Sequence, residues 1–104
     1  MSPIQWEELA PALTEEEVLE RARTGVGLSE QDLVGIDLSG ISLMGVDFRG
    51  ASLERVDFTG SDLTGASFRQ ATLNSACFRG CVLRSVDWCG SERSSCDFSG
   101  AVWL

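Results

Sequence analysis

From Val26 onward the chain divides into fives: VGLSE, QDLVG, IDLSG, ISLMG, VDFRG, ASLER, VDFTG, SDLTG, ASFRQ, ATLNS, ACFRG, CVLRS, VDWCG, SERSS, CDFSG and an incomplete AVWL. Residues 31–104 hold fifteen Leu, Phe or Trp, and fourteen of them stand in the third place of a pentad, where chance would put about a fifth. The first place is small or β-branched, as at Ile36, Val46, Ala51, Val56 and Ala66. The second is mostly Asp, Ser or Thr, and the fifth is often Gly. A period of five matches neither the 3.6-residue turn of a helix nor the two-residue alternation of a strand. It matches a chain that turns a corner every five residues. The first and third places then point inward, and Gly at the fifth supplies the positive φ of a type II corner.

Pentads of the form A-(D/N)-L-x-x, to which "VDFTGSDLTGASF" comes close, resemble the pentapeptide-repeat family. The resemblance covers residues 26–104. It implies an all-β solenoid, a right-handed quadrilateral β-helix with twenty residues per turn and about four turns here. Laid on twenty-residue turns, the third places sort into four columns. Leu33, Leu53, Leu73 and Arg93 lie opposite Leu43, Leu63, Leu83 and Trp103. Leu38, Phe58, Phe78 and Phe98 lie opposite Leu28, Phe48, Phe68 and Trp88. Leu thus faces Leu and aromatic faces aromatic, with like stacked on like about 4.8 Å apart. These side chains are core, not a ligand-binding stripe.

Before the repeat, "LTEEEVLERARTG" carries helix signals at both ends. Thr14 and Glu17 form a capping box and Leu13 with Val18 a hydrophobic staple. Arg21 and Arg23 suit the negative end, and Gly25 a C-terminal stop. The helix is expected over 15–24, with Val18, Leu19 and Ala22 as its apolar stripe. Ser2, Pro3 and Gln5 resemble an earlier helix start, and Trp6, Leu9 and Ala10 share one face before Pro11. The chain therefore divides into an N-terminal helical cap, 1–25, and the β-helix, 26–104. The cap shields the first turn's apolar cross-section and strand edges. Its acids, Glu7, Glu8, Glu15, Glu16, Glu17 and Glu20, are read first as a solvated face and second as a docking surface for a basic partner.

At the other end, Arg93 occupies the apolar beat within SERSS. A lone charge enclosed on all sides costs several kcal/mol, on the order of the effective desolvation penalty of an ion. Arg93 therefore reads as an end signal, with its stem on Leu73 and its guanidinium reaching water, Glu92 or Asp97. The core is expected to fade at about residue 91. Phe98, Trp103 and Leu104, together with Arg93, become a candidate end contact. Either a second chain pairs there, giving a homodimer, or the sequence is part of something longer.

Composition narrows the function. The 104 residues carry a net charge of −8 and contain no His, Lys or Tyr, which removes the commonest general bases and Schiff-base amines. No catalytic residue is expected, and no metal or cofactor. Cys77, Cys81, Cys89 and Cys96 match no zinc spacing. Cys77 and Cys89 point outward with nothing to activate them, while Cys81 and Cys96 stand in for Ala as small core residues. No apolar run is long enough for a membrane span, and the acidic N-terminus is unlike a signal peptide. A cytoplasmic protein with reduced thiols is expected.

The expectation is a protein-protein interaction module or adaptor. Its helix-to-repeat junction, "EEEVLERARTGVGLSEQDLVGIDLSGISLMG", looks like segments of pentapeptide-repeat proteins linked to bacterial type VI secretion, which implies handling of an effector or spike component. The alternative is a DNA mimic acting on a type II topoisomerase, gyrase, as the quinolone-resistance members of the family do. DNA carries one charge per about 1.7 Å, so four turns spanning about 19 Å should carry roughly eleven negative charges. Residues 31–104 carry nine acids and six Arg, a net −3. Asp37, Asp57 and Asp97 make an interrupted acidic column. Binding to nucleic acid itself is not expected of so acidic a chain.

Overall fold

The computed structural model describes residues 13–103. Its one helix among them, α1 (Glu15–Thr24), has the bounds that the sequence predicts. The Thr14 hydroxyl accepts from the Glu17 amide at 3.2 Å, and the Glu17 carboxylate accepts from the Thr14 amide at 3.0 Å. Gly25 closes the helix at φ 81°. Val18 is fully buried in the core, and Leu13 and Ala22 pack against it. Leu19, expected on the same stripe, stays 36% exposed. Val18 and Leu19 are about 100° apart around the helix, and the contact face is turned toward Val18.

After α1 the chain winds in twenty-residue coils. Second-place residues bridge in parallel to their counterparts twenty residues on, from Asp32 with Ser52 to Val82 with Val102. The bridges stay single and never lengthen into strands. A corner two residues later turns the chain off each face.

Each amide of a pentad has a fixed destination, as residues 57–61 show. The second-place amide donates to the coil before, Asp57 N to Ile36 O at 3.1 Å. The third and fifth donate to the coil after, Phe58 N to Cys77 O and Gly60 N to Arg79 O, both at 2.8 Å. The next first-place amide closes the corner, Ser61 N to Phe58 O at 2.9 Å. That leaves the fourth-place amide, which takes no backbone carbonyl of a neighbouring coil. The second-place carboxylate takes it, Thr59 N to Asp57 Oδ1 at 2.9 Å. The same bond recurs at Asp32, Asp37, Asp47, Asp62, Asp87 and Asp97.

The corners have positive φ at the fifth place and not at the fourth, which makes them type II. Gly fills most of these places, but Glu30, Arg55, Gln70, Ser75, Ser85 and Ser95 adopt the same conformation at φ 57–65°. One corner is built differently. The hydroxyl of fully buried Ser61 accepts from Ile41 N at 3.1 Å and donates to Leu38 O at 2.5 Å. It stands in for the direct bond that closes the corners on either side, Ile36 N to Leu33 O and Val46 N to Leu43 O.

The third-place columns fill the interior as the twenty-residue register predicts. Phe48, Phe68 and Trp88 stack at 5.1 Å, and Phe58, Phe78 and Phe98 at 5.0–5.1 Å. The two stacks meet edge to face across the rod, Phe48 on Phe58 at 5.9 Å and 80°. The last fully packed third-place residue is Leu83, 2% exposed. From Val86 to Trp103 every residue is half-buried or exposed, so the core fades slightly before residue 91.

Two sets of substitutions test this construction in urea unfolding. A side chain in the left-handed region costs about 1–2 kcal/mol. Ser75→Gly should therefore stabilise by up to about 1 kcal/mol, less the extra chain entropy of Gly. Gly40→Ala, whose Cβ would meet nothing within 4 Å, should cost about 1 kcal/mol through φ alone. Ser61→Val keeps a side chain common at the first place but removes the one partner that Ile41 N and Leu38 O have among the described residues. The expected cost is about 1–3 kcal/mol. A cost near zero would mean that the corner closes directly once the hydroxyl is gone.

Candidate protein-docking surfaces

The residues singled out for docking fall at opposite ends of the coil stack. On α1, Glu15, Glu16, Glu17 and Glu20 are all exposed. Three of them have work within the chain. Glu15 accepts from the Asp37 amide at 3.3 Å, Glu17 holds the capping box, and Glu20 pairs with Arg23. The two Thr14 hydrogen bonds, backbone first, hold the Glu17 carboxyl below its usual range. Glu7, Glu8 and Leu104 lie outside the described residues, as do the expected helix start at residues 2–5 and the Trp6 face.

At the other end, Phe98 is half-buried and Trp103 is 46% exposed. Trp103 tilts across both aromatic columns, 5.1 Å from Phe98 and 6.0 Å from Trp88. Arg93 is exposed, consistent with an end position, but its guanidinium goes elsewhere than expected. It lies over the Trp88 ring, 5.2 Å from the centroid. Asp97 instead faces Arg79 at 3.8 Å. The indole face attracts the cation through its quadrupole and leaves the guanidinium edge open to water.

The outward acids serve the fold first. Besides capping the fourth-place amide, Asp37, Asp62 and Asp97 accept from the hydroxyls of Ser39, Thr64 and Ser99 at 2.5–2.6 Å. Asp47 takes Arg49 at 2.9 Å, and Asp87 takes Arg69 at 3.3 Å. At Asp37, Asp47, Asp62 and Asp97 such bonds favour the ionised carboxylate. The Ser39 hydroxyl lowers the Asp37 pKa, the Arg49 guanidinium that of Asp47, the Thr64 hydroxyl that of Asp62 and the Ser99 hydroxyl that of Asp97.

The cysteines are free thiols. Cys81 and Cys96 do more than fill space, since their thiols donate to the carbonyls of Phe58 at 2.8 Å and Leu73 at 3.0 Å. Burial pushes Cys81 up to about 11 and raises Cys96, which keeps both protonated and unreactive. Cys77 contacts the Thr59 hydroxyl at 3.2 Å, and Cys89 is exposed. Among the described residues no cluster of His, Cys, Asp or Glu is placed to hold a metal ion, and no helix is long and apolar enough to cross a membrane.

One surface was not anticipated. Beside α1 a groove of about 390 Å³ is lined by Leu19, Ala22, Arg23, Ser42 and Met44. Met44 is 58% exposed, and Val26 beyond it is 54% exposed. The one signal in the sequence is Met at an outward fourth place.

A family model described as pentapeptide repeats, in eight copies, matches residues 24–60 and 51–87. The chain belongs to the pentapeptide-repeat family. Proteins of this family are right-handed quadrilateral β-helices that serve as repeat scaffolds. No curated protein matches the chain. Among solved structures, a pentapeptide repeat protein from the Arabidopsis thaliana thylakoid lumen is 30% identical. The match covers 74% of this chain and 57% of that one, with a TM-score of 0.48. One from the cyanobacterium Cyanothece 51142 is 24% identical over 70% of this chain and 47% of that one, with a TM-score of 0.39. One from Nostoc PCC 7120 is 20% identical over 90% and 98%, with a TM-score of 0.33. The chain thus spans about half the length of the first two.

In this pentapeptide-repeat chain the Asp contacts to the ionised form exist only in the fold. A depressed folded pKa contributes stability that is fully present above the ordinary aspartate value near about pH 4. That contribution is lost as pH falls through the lower folded value. The thermal midpoint should therefore be nearly level above about pH 5 and drop below about pH 4. Asp37→Asn with Asp97→Asn keeps the amide caps and removes the titration. The double variant should flatten the acid limb in a circular-dichroism melting series.

Proposed function

We propose that this chain is a non-enzymatic protein-protein interaction module, an adaptor built on a rigid rod. In this proposal residues 26–104 form a right-handed quadrilateral β-helix of about four turns, and residues 1–25 form its helical cap. The observation that carries the proposal is the placement of exposed apolar side chains. Leu19, Val26 and Met44 cluster at the α1 end, and Val102 and Trp103 lie on the last coil. Side chains of this size at two ends of a scaffold suit contact with other proteins.

At the last coil the proposed partner is a second copy of the chain. Trp88, Phe98 and Trp103 continue the internal aromatic columns onto the surface. A two-fold contact would stack aromatic on aromatic and place each Arg93 near the partner's open edge. Light scattering on the purified chain should give twice the monomer mass. Trp103→Glu should return it to the monomer, and an unchanged dimer would overturn this contact.

The acidic face of α1 is proposed as the docking surface for a basic segment of another protein. Handling of a type VI secretion effector or spike component is the specific form of that proposal, and it is supported only by the resemblance of the helix-to-repeat junction. Charge reversal of Glu15, Glu16 and Glu20 to Lys should abolish salt-sensitive capture of partners from lysate of the source organism. Capture that survives the reversal would exclude this face. Gyrase mimicry has less support, because the Asp side chains are committed to backbone amides, hydroxyls and Arg. Gyrase supercoiling should be unaffected by the dimer, and inhibition would favour mimicry over the adaptor.

A further inference from the structure

Of the outer faces of the coils, the one built from residues 41–45, 61–65, 81–85 and 101–103 is unlike the rest. Its outward second and fourth places include Met44 and Val102, 58% and 40% exposed, and half-buried Val82. Among the described residues, the outward places of the other faces hold one aliphatic side chain, Val34, and the thiols of Cys77 and Cys89. The rims of this face are bare as well. Gly40, Gly60, Gly80 and Gly100 turn the corner into it, and Gly45, Gly65 and Ser85 the corner out of it. Every other face has Glu30, Arg55 or Gln70 at a corner. A flat surface can therefore approach this face without displacing a long side chain from its edges.

Charge decides what can lie there. The face carries Asp62 and Arg84, one residue of each sign. Two copies meeting on the face of Asp32, Glu54 and Glu92, or on that of Asp37, Asp57 and Asp97, would oppose like charges. On the remaining face Arg49 and Arg69 are already held by Asp47 and Asp87. From the first coil to the last, this face runs apolar, acidic, basic, apolar, through Met44, Asp62, Arg84 and Val102. That order is complementary to itself in reverse.

We propose that this face is a contact between two copies of the chain, packed side by side with their rods antiparallel. The two-fold axis passes between the coils of Asp62 and Arg84. Met44 then lies beside the partner's Val102, and Asp62 within an arginine's length of the partner's Arg84. Thr64 falls directly opposite the partner's Arg84. A parallel pair would instead set Glu15, Glu16 and Glu20 of α1 alongside their own copies, whereas the antiparallel pair carries the two helices to opposite ends. Four coils stand about 19 Å tall and three residues span about 10 Å, so the footprint is small. It falls well below the roughly 800 Å² per partner of a stable dimer, which makes this a weak contact that forms at high concentration.

The contact is separate from the end-on dimer proposed above, so it is tested in the Trp103→Glu chain. Sedimentation equilibrium over a concentration series reaching the millimolar range should show monomer passing into dimer. Thr64→Arg sets a cation against the partner's Arg84 and leaves the Asp62 carboxylate in place to cap its amide. Arg84→Asp removes the attraction to Asp62. Each alone should raise the dissociation constant roughly tenfold or more, with the far-UV circular dichroism unchanged. An equal mixture of the two should associate again, because each Thr64→Arg chain meets an Arg84→Asp partner. A parent that stays monomeric throughout would overturn the inference. Association that Thr64→Arg leaves unchanged or strengthens would do so too, as would a mixture that stays dissociated.

Discussion

A pentad cannot satisfy its own backbone, and the rest of the structure follows from this. Of its five amides, three go to the coils before and after and one closes the corner. The fourth-place amide is left, and wherever the second place is Asp its carboxylate takes it. An amide buried without a partner costs about 1–3 kcal/mol, more than a typical single hydrogen bond contributes. The Asp-rich second place therefore belongs to the fold before it belongs to any surface. A column of acids that looks like an electrostatic display is, bond by bond, a row of caps. At Asp37, Asp47, Asp62 and Asp97 the Ser, Thr or Arg side chain two residues later favours the ionised carboxylate.

Features governed by a strict local rule were legible in the sequence. The period of five fixes which side chains point inward, and the twenty-residue register places Phe48 on Phe68 and Phe58 on Phe78. The ends of α1 follow from Thr14, Glu17 and Gly25, whose hydrogen bonds are local. What escaped depends on neighbours remote in sequence. Ser61 looks like a tolerated small residue until it is seen bridging Leu38 and Ile41 from the coil above. Cys81 and Cys96 read as Ala substitutes, yet their thiols meet carbonyls twenty-three residues back. Arg93 had plausible acids on either side, and the Trp88 face five residues away captured it.

The candidate surfaces were legible to a lesser degree, for a related reason. A repeat states what each place must do inside the rod and says little about where the rod meets a non-repeating element. Leu19 was assigned to the buried stripe because helical spacing permits it. How far α1 rolls over the first coil decides the matter, and the roll favours Val18. The groove between Leu19 and Met44 exists only at that junction.

The same accounting locates the freedom the scaffold leaves for recognition. First and third places are held by packing, an Asp at the second by the amide it caps, and the fifth by its positive φ. At the fourth place only the backbone is used. The cap forms equally well over Val34, Ser39, Arg49, Thr59, Cys89 and Ser99, which have nothing in common as side chains. A partner that reads the rod along its length therefore reads chiefly fourth places, spaced by one coil along each face. Met44 is such a position, and an apolar side chain there carries no cost to the coil beneath it.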